Sequence, residues 1–159
     1  MKFIHTAALV AALAASVAVA QEVRGEAKAT VASKSVAVEY GRPSLAGRDM
    51  LGQAKAGTPW RMGSGSPTSL KTDADLAFGP VALPKGSYIL TAVKDEKGSW
   101  TAIATNPDTK AKAAEIPLAS TTLKDSVEQF TIELTAKGNA GEFAMMWGTS
   151  KMATAFTAK

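Results

Sequence analysis

Period-two alternation runs through almost the whole chain after its first twenty residues, and it limits the fold to one built from β-strands. In residues 87–94, Tyr88, Leu90 and Ala92 alternate with Ile89, Thr91 and Val93. Both faces are apolar or β-branched, which suits a central strand. Asp95-Glu96-Lys97-Gly98 then supplies a turn and residues 100–105 run back, predicting a hairpin. A second hairpin is written in Phe130, Ile132 and Leu134, which alternate with Thr131, Glu133 and Thr135. Lys137-Gly138-Asn139-Ala140-Gly141 turns the chain, and Phe143, Met145 and Trp147 return on one face. Gly148-Thr149-Ser150 predicts one more reversal, into a strand carrying Met152, Thr154 and Phe156, so that a three-stranded meander closes the chain. Trp100 and Trp147 fall at strand positions and are expected in the core.

Val36, Val38 and Tyr40 share a face of an earlier strand. Residues 106–114 are polar and lysine-rich, and residues 114–118 predict an edge strand, because Pro117 cannot donate to a ladder. No amphipathic helix pattern is present. About eight to ten short strands, with turns roughly every 8–12 residues, predict an all-β fold: a single antiparallel β-sandwich, with a small β-barrel as the alternative.

The first twenty residues belong to a different class. Lys2 precedes an apolar run over residues 6–19, and Ala18-Val19-Ala20 has the form of a cleavage site for export. The run is shorter than the roughly 20 apolar residues a membrane helix needs, so a cleaved signal peptide over 1–20 is expected. The chain then divides into a signal peptide (1–20), a charged flexible arm (21–28) and one β-domain (29–159). A periplasmic or secreted location follows, with no membrane span.

Export also restricts the chemistry. The sequence has no cysteine, and its one histidine, His5, leaves with the signal peptide. Ser-His-Asp and Cys-His catalysis, thiol redox chemistry and ordinary zinc sites are thereby excluded. No serine has a lysine three residues later, which removes the usual serine–lysine spacing. Asp73-Ala74-Asp75 is the nearest approach to an oxygen-ligand metal site, and it lacks the further acids and turn glycine of a calcium loop. The expectation is no catalytic residue, no metal and no cofactor.

One segment stands out by charge. Residues 41–70 hold Arg42, Arg48, Lys55 and Arg61 against a single acid, Asp49, and the remainder of the mature chain is electrically neutral. Pro43 drives Arg42 toward extended geometry, while Gly41 and Gly47 permit backbone shapes closed to other residues. Guanidinium forks suit carboxylates or phosphates, and Trp60 beside Arg61 offers a flat ring with one donor. Arg42, Arg48, Trp60 and Arg61 are therefore the candidate ligand-binding residues, for an anionic small molecule or glycan. The same residues could instead tie the loop to the domain, with arginines bonded to carbonyls and Trp60 packed in the core. Gly63-Ser64-Gly65-Ser66 could offer backbone N–H groups to an anion, but it lacks the ending of a P-loop. Nucleic acid is not expected, since the net charge is small and no aromatic-basic stripe is present.

Tyr40-Gly41-Arg42-Pro43-Ser44, Gly47-Arg48, Trp60-Arg61-Met62-Gly63, Leu83-Pro84-Lys85-Gly86-Ser87-Tyr88 and Trp147-Gly148 together resemble the exported bacterial family catalogued as domain of unknown function 2911. The resemblance covers residues 29–156. It implies an export-targeted β-rich domain and no activity. Where the family continues past Trp-Arg-x-Gly with an Ala-Asn-Glu-Ala-Thr type of stretch, this chain has Ser64-Gly65-Ser66-Pro67-Thr68.

Two functional expectations follow. One is an exported binding module that uses the arginine-tryptophan loop. The other is a structural or protein-interaction domain of the cell envelope with no small ligand. A carboxylate hydrolase using Asp49 is a distant third, because the loop offers one carboxyl group where glycosidases need two.

Overall fold

The computed structural model describes residues 22–159, so the expected signal peptide and Gln21 lie outside the described residues. Nine strands make up the regular structure: β1 (Arg24–Val31), β2 (Lys34–Gly41), β3 (Ser69–Thr72), β4 (Leu76–Phe78), β5 (Val81–Leu83), β6 (Gly86–Lys94), β7 (Trp100–Thr105), β8 (Lys112–Lys137) and β9 (Ala140–Ala158). They form one antiparallel sheet in the order β1-β2-β3-β6-β7-β8-β9-β4-β5, which does not close into a barrel. No helix occurs among the described residues, and so none is long and apolar enough to cross a membrane.

The sheet becomes a sandwich through β8. Its first part, to Leu118, pairs with β7, and from Ala119 onward it pairs with β9. The chain thus turns a corner inside one strand, and the two halves of the sheet face each other. Val36, Val38, Leu70 and Leu90 from one half share a buried core with Leu76, Phe130, Ile132, Phe143 and Met145 from the other. Trp100 and Trp147 are both buried in it, as their strand positions predict.

Both predicted hairpins are present. β6 and β7 pair from Ile89↔Thr105 to Lys94↔Trp100, and the Asp95 carboxylate accepts the N–H groups of Lys97 and Ser99 at 2.9 Å across the turn. β8 and β9 meet at Lys137↔Ala140, with Gly138 at a φ of 63°. The predicted edge strand is the first part of β8. There β7 is its one ladder partner, with Pro117 opposite Thr101.

Two expectations are corrected. The last reversal does not occur: β9 runs continuously, and Gly148, at a φ of 61°, takes up an irregularity in the pairing with β8 instead of turning the chain. The expected arm over 21–28 is, from Arg24 on, most of strand β1. Its outward residues are Arg24, Glu26, Lys28 and Thr30, and the alternate set is Gly25, Ala27, Ala29 and Val31. Such small inward residues carry little hydropathy, which hid the strand, and they let side chains from β2 pass close over β1. The Tyr40 ring and the Arg42 stem lie so near Gly25 that a methyl there would come within 2.8 Å and 2.6 Å of them.

Candidate functional site

The arginine-tryptophan segment is the long connection from β2 to β3, and two glycines fix its ends back to back. A methyl at Gly41 would lie 1.9 Å from the Ser64 carbonyl oxygen, and one at Gly63 would lie 2.7 Å from the Gly41 carbonyl oxygen. No side chain fits at Gly41 without moving backbone, and Gly63 has in addition a φ of 141°. The glycines of Tyr-Gly-Arg-Pro-Ser and Trp-Arg-Met-Gly are therefore one contact read from two sides. Thr68 closes it, its hydroxyl donating to the Met62 carbonyl at 2.7 Å in a buried position.

From this pinch the chain runs along a defect in β8. Thr122 pairs with Ser150, Val127 with Gly148 and Thr131 with Met146, so β8 carries extra residues at both intervals. Extra residues in one strand leave ladder groups unpaired. The segment takes them up. Phe130 N–H donates to the Pro43 carbonyl at 2.9 Å, and Leu45 N–H donates to the Glu128 carbonyl at 3.0 Å. The Glu128 carbonyl also accepts the Trp147 indole N–H at 3.1 Å, and its carboxylate accepts Ala46 N–H at 3.1 Å.

Arg42 completes the seam. Its Nε donates to the Phe130 carbonyl at 3.2 Å and its Nη2 to the Thr131 hydroxyl at 3.1 Å. Beside it the Tyr40 hydroxyl donates to the Ile132 carbonyl at 3.3 Å. Carbonyls on successive alternate residues of β8, which face away from β9, are thus held by side chains of β2 and its extension. The half-buried guanidinium is a clasp between two parts of the domain.

The other candidates are placed elsewhere. Trp60 makes a two-bond bridge to Ala92 of β6, at 2.7 Å and 2.9 Å. Its ring stacks on Trp147 (6.0 Å between centroids, 14° between planes) and meets Trp100 and Phe130 edge-on at 5.9 Å and 5.1 Å. With Tyr40 against Phe130, five rings weld the loop to both halves of the sheet. Arg48 is exposed and donates only to the Leu45 carbonyl of its own turn, at 3.5 Å. Arg61 is exposed and bonds the Gly65 carbonyl. Arg42 and Trp60 both reach Phe130, one at its carbonyl and the other at its ring, whereas Arg48 and Arg61 bond carbonyls of their own connection.

Exposed charge near Arg61 is organised by residues that the sequence reading assigned to the arm. Arg24 Nη1 lies 2.9 Å from both the Glu22 carboxylate and the Ser66 carbonyl. The Arg24 hydrogen bond, more than any other influence, holds the Glu22 carboxyl below its ordinary value, opposed by desolvation and assisted by Ser66 N–H and Arg61. Asp75, half of the Asp73-Ala74-Asp75 group named above, accepts Lys85 N–H at 2.8 Å. Among the described residues no group of three or more acids could hold a metal ion.

One lysine was passed over by the sequence reading. Lys94, at the end of β6, points its ammonium to the carbonyls of Leu51 and Gly52 at 3.3 Å and 3.2 Å, with its nitrogen 5.9 Å from the centroid of the Trp100 ring. In sequence it looked like one of many surface lysines beside a turn. Its partners lie more than forty positions earlier, so no local signal could single it out.

Over residues 22–156 the chain matches the family model described as Protein of unknown function (DUF2911). No curated protein and no solved structure matches it. The resemblance carried by the glycine, arginine and tryptophan motifs therefore holds for nearly the whole described chain, and the protein belongs to this family of unknown function.

Proposed function

We propose that the protein is an exported, non-catalytic binding domain of the cell envelope in which Arg42 and Trp60 of the long connection form a structural clasp and are not themselves the recognition face. The observation that carries this reading is the pair of bonds from Arg42 to the Phe130 carbonyl and the Thr131 hydroxyl. Those two bonds and its half-buried place against β8 fix where the guanidinium sits, so the fold by itself accounts for the arginine. Trp60 supports the same view, since its ring is engaged by three other aromatic side chains. Export is supported by the apolar run and the Ala18-Val19-Ala20 site, and binding by the absence from the mature chain of the side chains that common hydrolases and oxidoreductases use.

The test combines export and retention. Expressed from the full gene in a bacterial host, the protein is expected outside the cytoplasm with Gln21 as its first residue, and to co-sediment with washed envelope fragments. The Arg48→Ala, Arg61→Ala double variant should be retained as well as the parent. Loss of retention in that double variant, with unchanged thermal stability, would return the recognition role to the loop; an uncleaved cytoplasmic product would remove the export part of the proposal.

A further inference from the structure

The structure assigns a second role to the same loop: with Lys94 it builds a groove suited to a carboxylate-bearing saccharide. This rests on the reading of the protein as a binding domain and adds where it binds and what.

The groove has a volume of about 320 Å³. That falls at the lower end of the roughly 300–1,000 Å³ found for small-molecule sites. One wall is Leu51 and Gly52 of the long connection, and the other is the stretch of β8 and β9 just before the bulge. Lys94 is the single charged residue among those lining it. None of the four ion pairs among the described residues includes Lys94. An ammonium has three N–H donors, and two here are directed to the Leu51 and Gly52 carbonyls. The third remains for a ligand. Two carbonyls and the Trp100 face hold the nitrogen in one place, so the usual rotamer entropy of a lysine is already spent before binding.

Hydroxyls supply the rest of the site. Ser120 and Thr122 of β8 are exposed at the groove and Ser150 of β9 is partly exposed there, with Thr122 and Ser150 directly paired across the ladder. A hydroxyl both donates and accepts, which is what another hydroxyl requires. One fixed positive charge beside several such groups matches one carboxylate on a polyhydroxylated ring. A phosphate dianion would call for more positive charge or a set of backbone N–H donors, and a neutral sugar would leave the ammonium without its counter-charge. The chemical class is therefore an acidic saccharide of the uronate type. The other sizeable hollows lack this combination. The groove on the outer face of β1, β2, β3 and β6 mixes Glu26, Glu39 and Asp73 with its lysines, the hollow beside it sets Asp73 against Lys71 and Lys85, and the one at the sheet corner contains the Lys151–Glu142 pair.

Calorimetric titration of the purified protein with digalacturonate, at fixed ionic strength, tests the assignment. The parent should bind, and lactose, a neutral disaccharide, should bind at least tenfold more weakly. Lys94→Met keeps the stem over Trp100 and removes the charge, and should weaken digalacturonate binding at least tenfold. Ser120→Ala combined with Ser150→Ala touches no residue that holds the loop, and should weaken binding about threefold with an unchanged melting temperature. The double variant decides the matter if Lys94→Met does not fold. Absence of binding, equal affinity for lactose, or affinity untouched by these variants would each overturn the groove. If digalacturonate fails to bind while the protein still co-sediments with envelope fragments, the groove alone is wrong; if it binds and retention is absent, the envelope role alone is wrong.

Discussion

The β6–β7 hairpin and the connection from β2 to β3 hold themselves in place by the same kind of bond from opposite sources. In the hairpin, every pair from Lys94↔Trp100 out to Ile89↔Thr105 joins neighbouring stretches of chain, and the turn is closed by its own Asp95. In the connection, Arg42 reaches a carbonyl 88 positions later and Pro43 serves the N–H of the same residue. A regular ladder satisfies backbone groups locally. A bulged strand leaves some over, and here a distant arginine-rich segment has become their partner. The lesson concerns arginine itself: Arg42, Arg48 and Arg61 share a segment and a charge, yet the irregular pairing of β8 gives one of them a structural task and leaves the other two in solvent.

The sharpest way to break this comparison is to place a methyl where each region has a glycine. Gly41→Ala drives carbon into the Ser64 carbonyl, so the pinch must open, and a loss of about 4 kcal/mol or more is expected, enough to prevent folding. Gly98→Ala, in the hairpin turn, meets nothing within 4 Å and strains only its φ of 86°, at about 1–2 kcal/mol. Urea unfolding of the two variants measures the difference. Equal losses would mean that the connection is no more constrained than an ordinary turn.

The arginines come next. Arg42→Ala leaves the half-buried Phe130 carbonyl and Thr131 hydroxyl without their donor, and should cost about 2–3 kcal/mol. Arg48→Ala and Arg61→Ala should each stay within about 0.5 kcal/mol of the parent, as exposed substitutions do. A large loss at Arg48 or a negligible one at Arg42 would dissolve the distinction between clasp and solvent arginines.

How much of this was open to reading follows the same division. Strand alternation and turn residues are local, so β2, β6, β7 and the β8–β9 hairpin could be placed, and so could the burial of Trp100 and Trp147. β1 escaped because Gly25, Ala27 and Ala29 bury little apolar surface each. The continuity of β9 escaped because Gly148 has the same sequence signature in a bulge as in a turn. The identity of the arginine-tryptophan block was legible, and the two uses proposed for it could both be named. Where Arg42 bonds depends on the register of β8 against β9, which exists only once both strands are paired.

A smaller effect probes the regular region through pH. Tyr88, buried in β6, donates to the Pro84 carbonyl at 2.7 Å. Burial, and secondarily the Asp75 charge, raise its pKa above the ordinary 10.0. Its contribution to stability is therefore complete below pH 10 and is lost as pH rises through the elevated folded value. Tyr88→Phe should cost about 1 kcal/mol at neutral pH, and the gap to the parent should narrow in alkali. A gap that stays constant between neutral and strongly alkaline pH would show that the phenol does not titrate as described.

The smallest expected change is a gain, and it lies in a two-residue turn whose residues do not suit it. Val31 and Lys34 pair directly, so Ala32 and Ser33 alone connect β1 to β2, with φ values of 49° and 62°. Two-residue hairpins of this hand favour Asn-Gly, since both central residues take positive φ. Alanine and serine hold the conformation against steric cost, while the Ala32 N–H donates to the Gly138 carbonyl at 2.8 Å and so ties this turn to the one between β8 and β9. Ala32→Asn combined with Ser33→Gly preserves that N–H and relieves the strain, and should stabilise the protein by about 0.5–1 kcal/mol in urea unfolding. The gain should add to the loss from Arg42→Ala, because the clasp and the turn share no partner. Failure to add would couple the turn to the clasp through β1, and would make the regular and irregular regions a single cooperative contact.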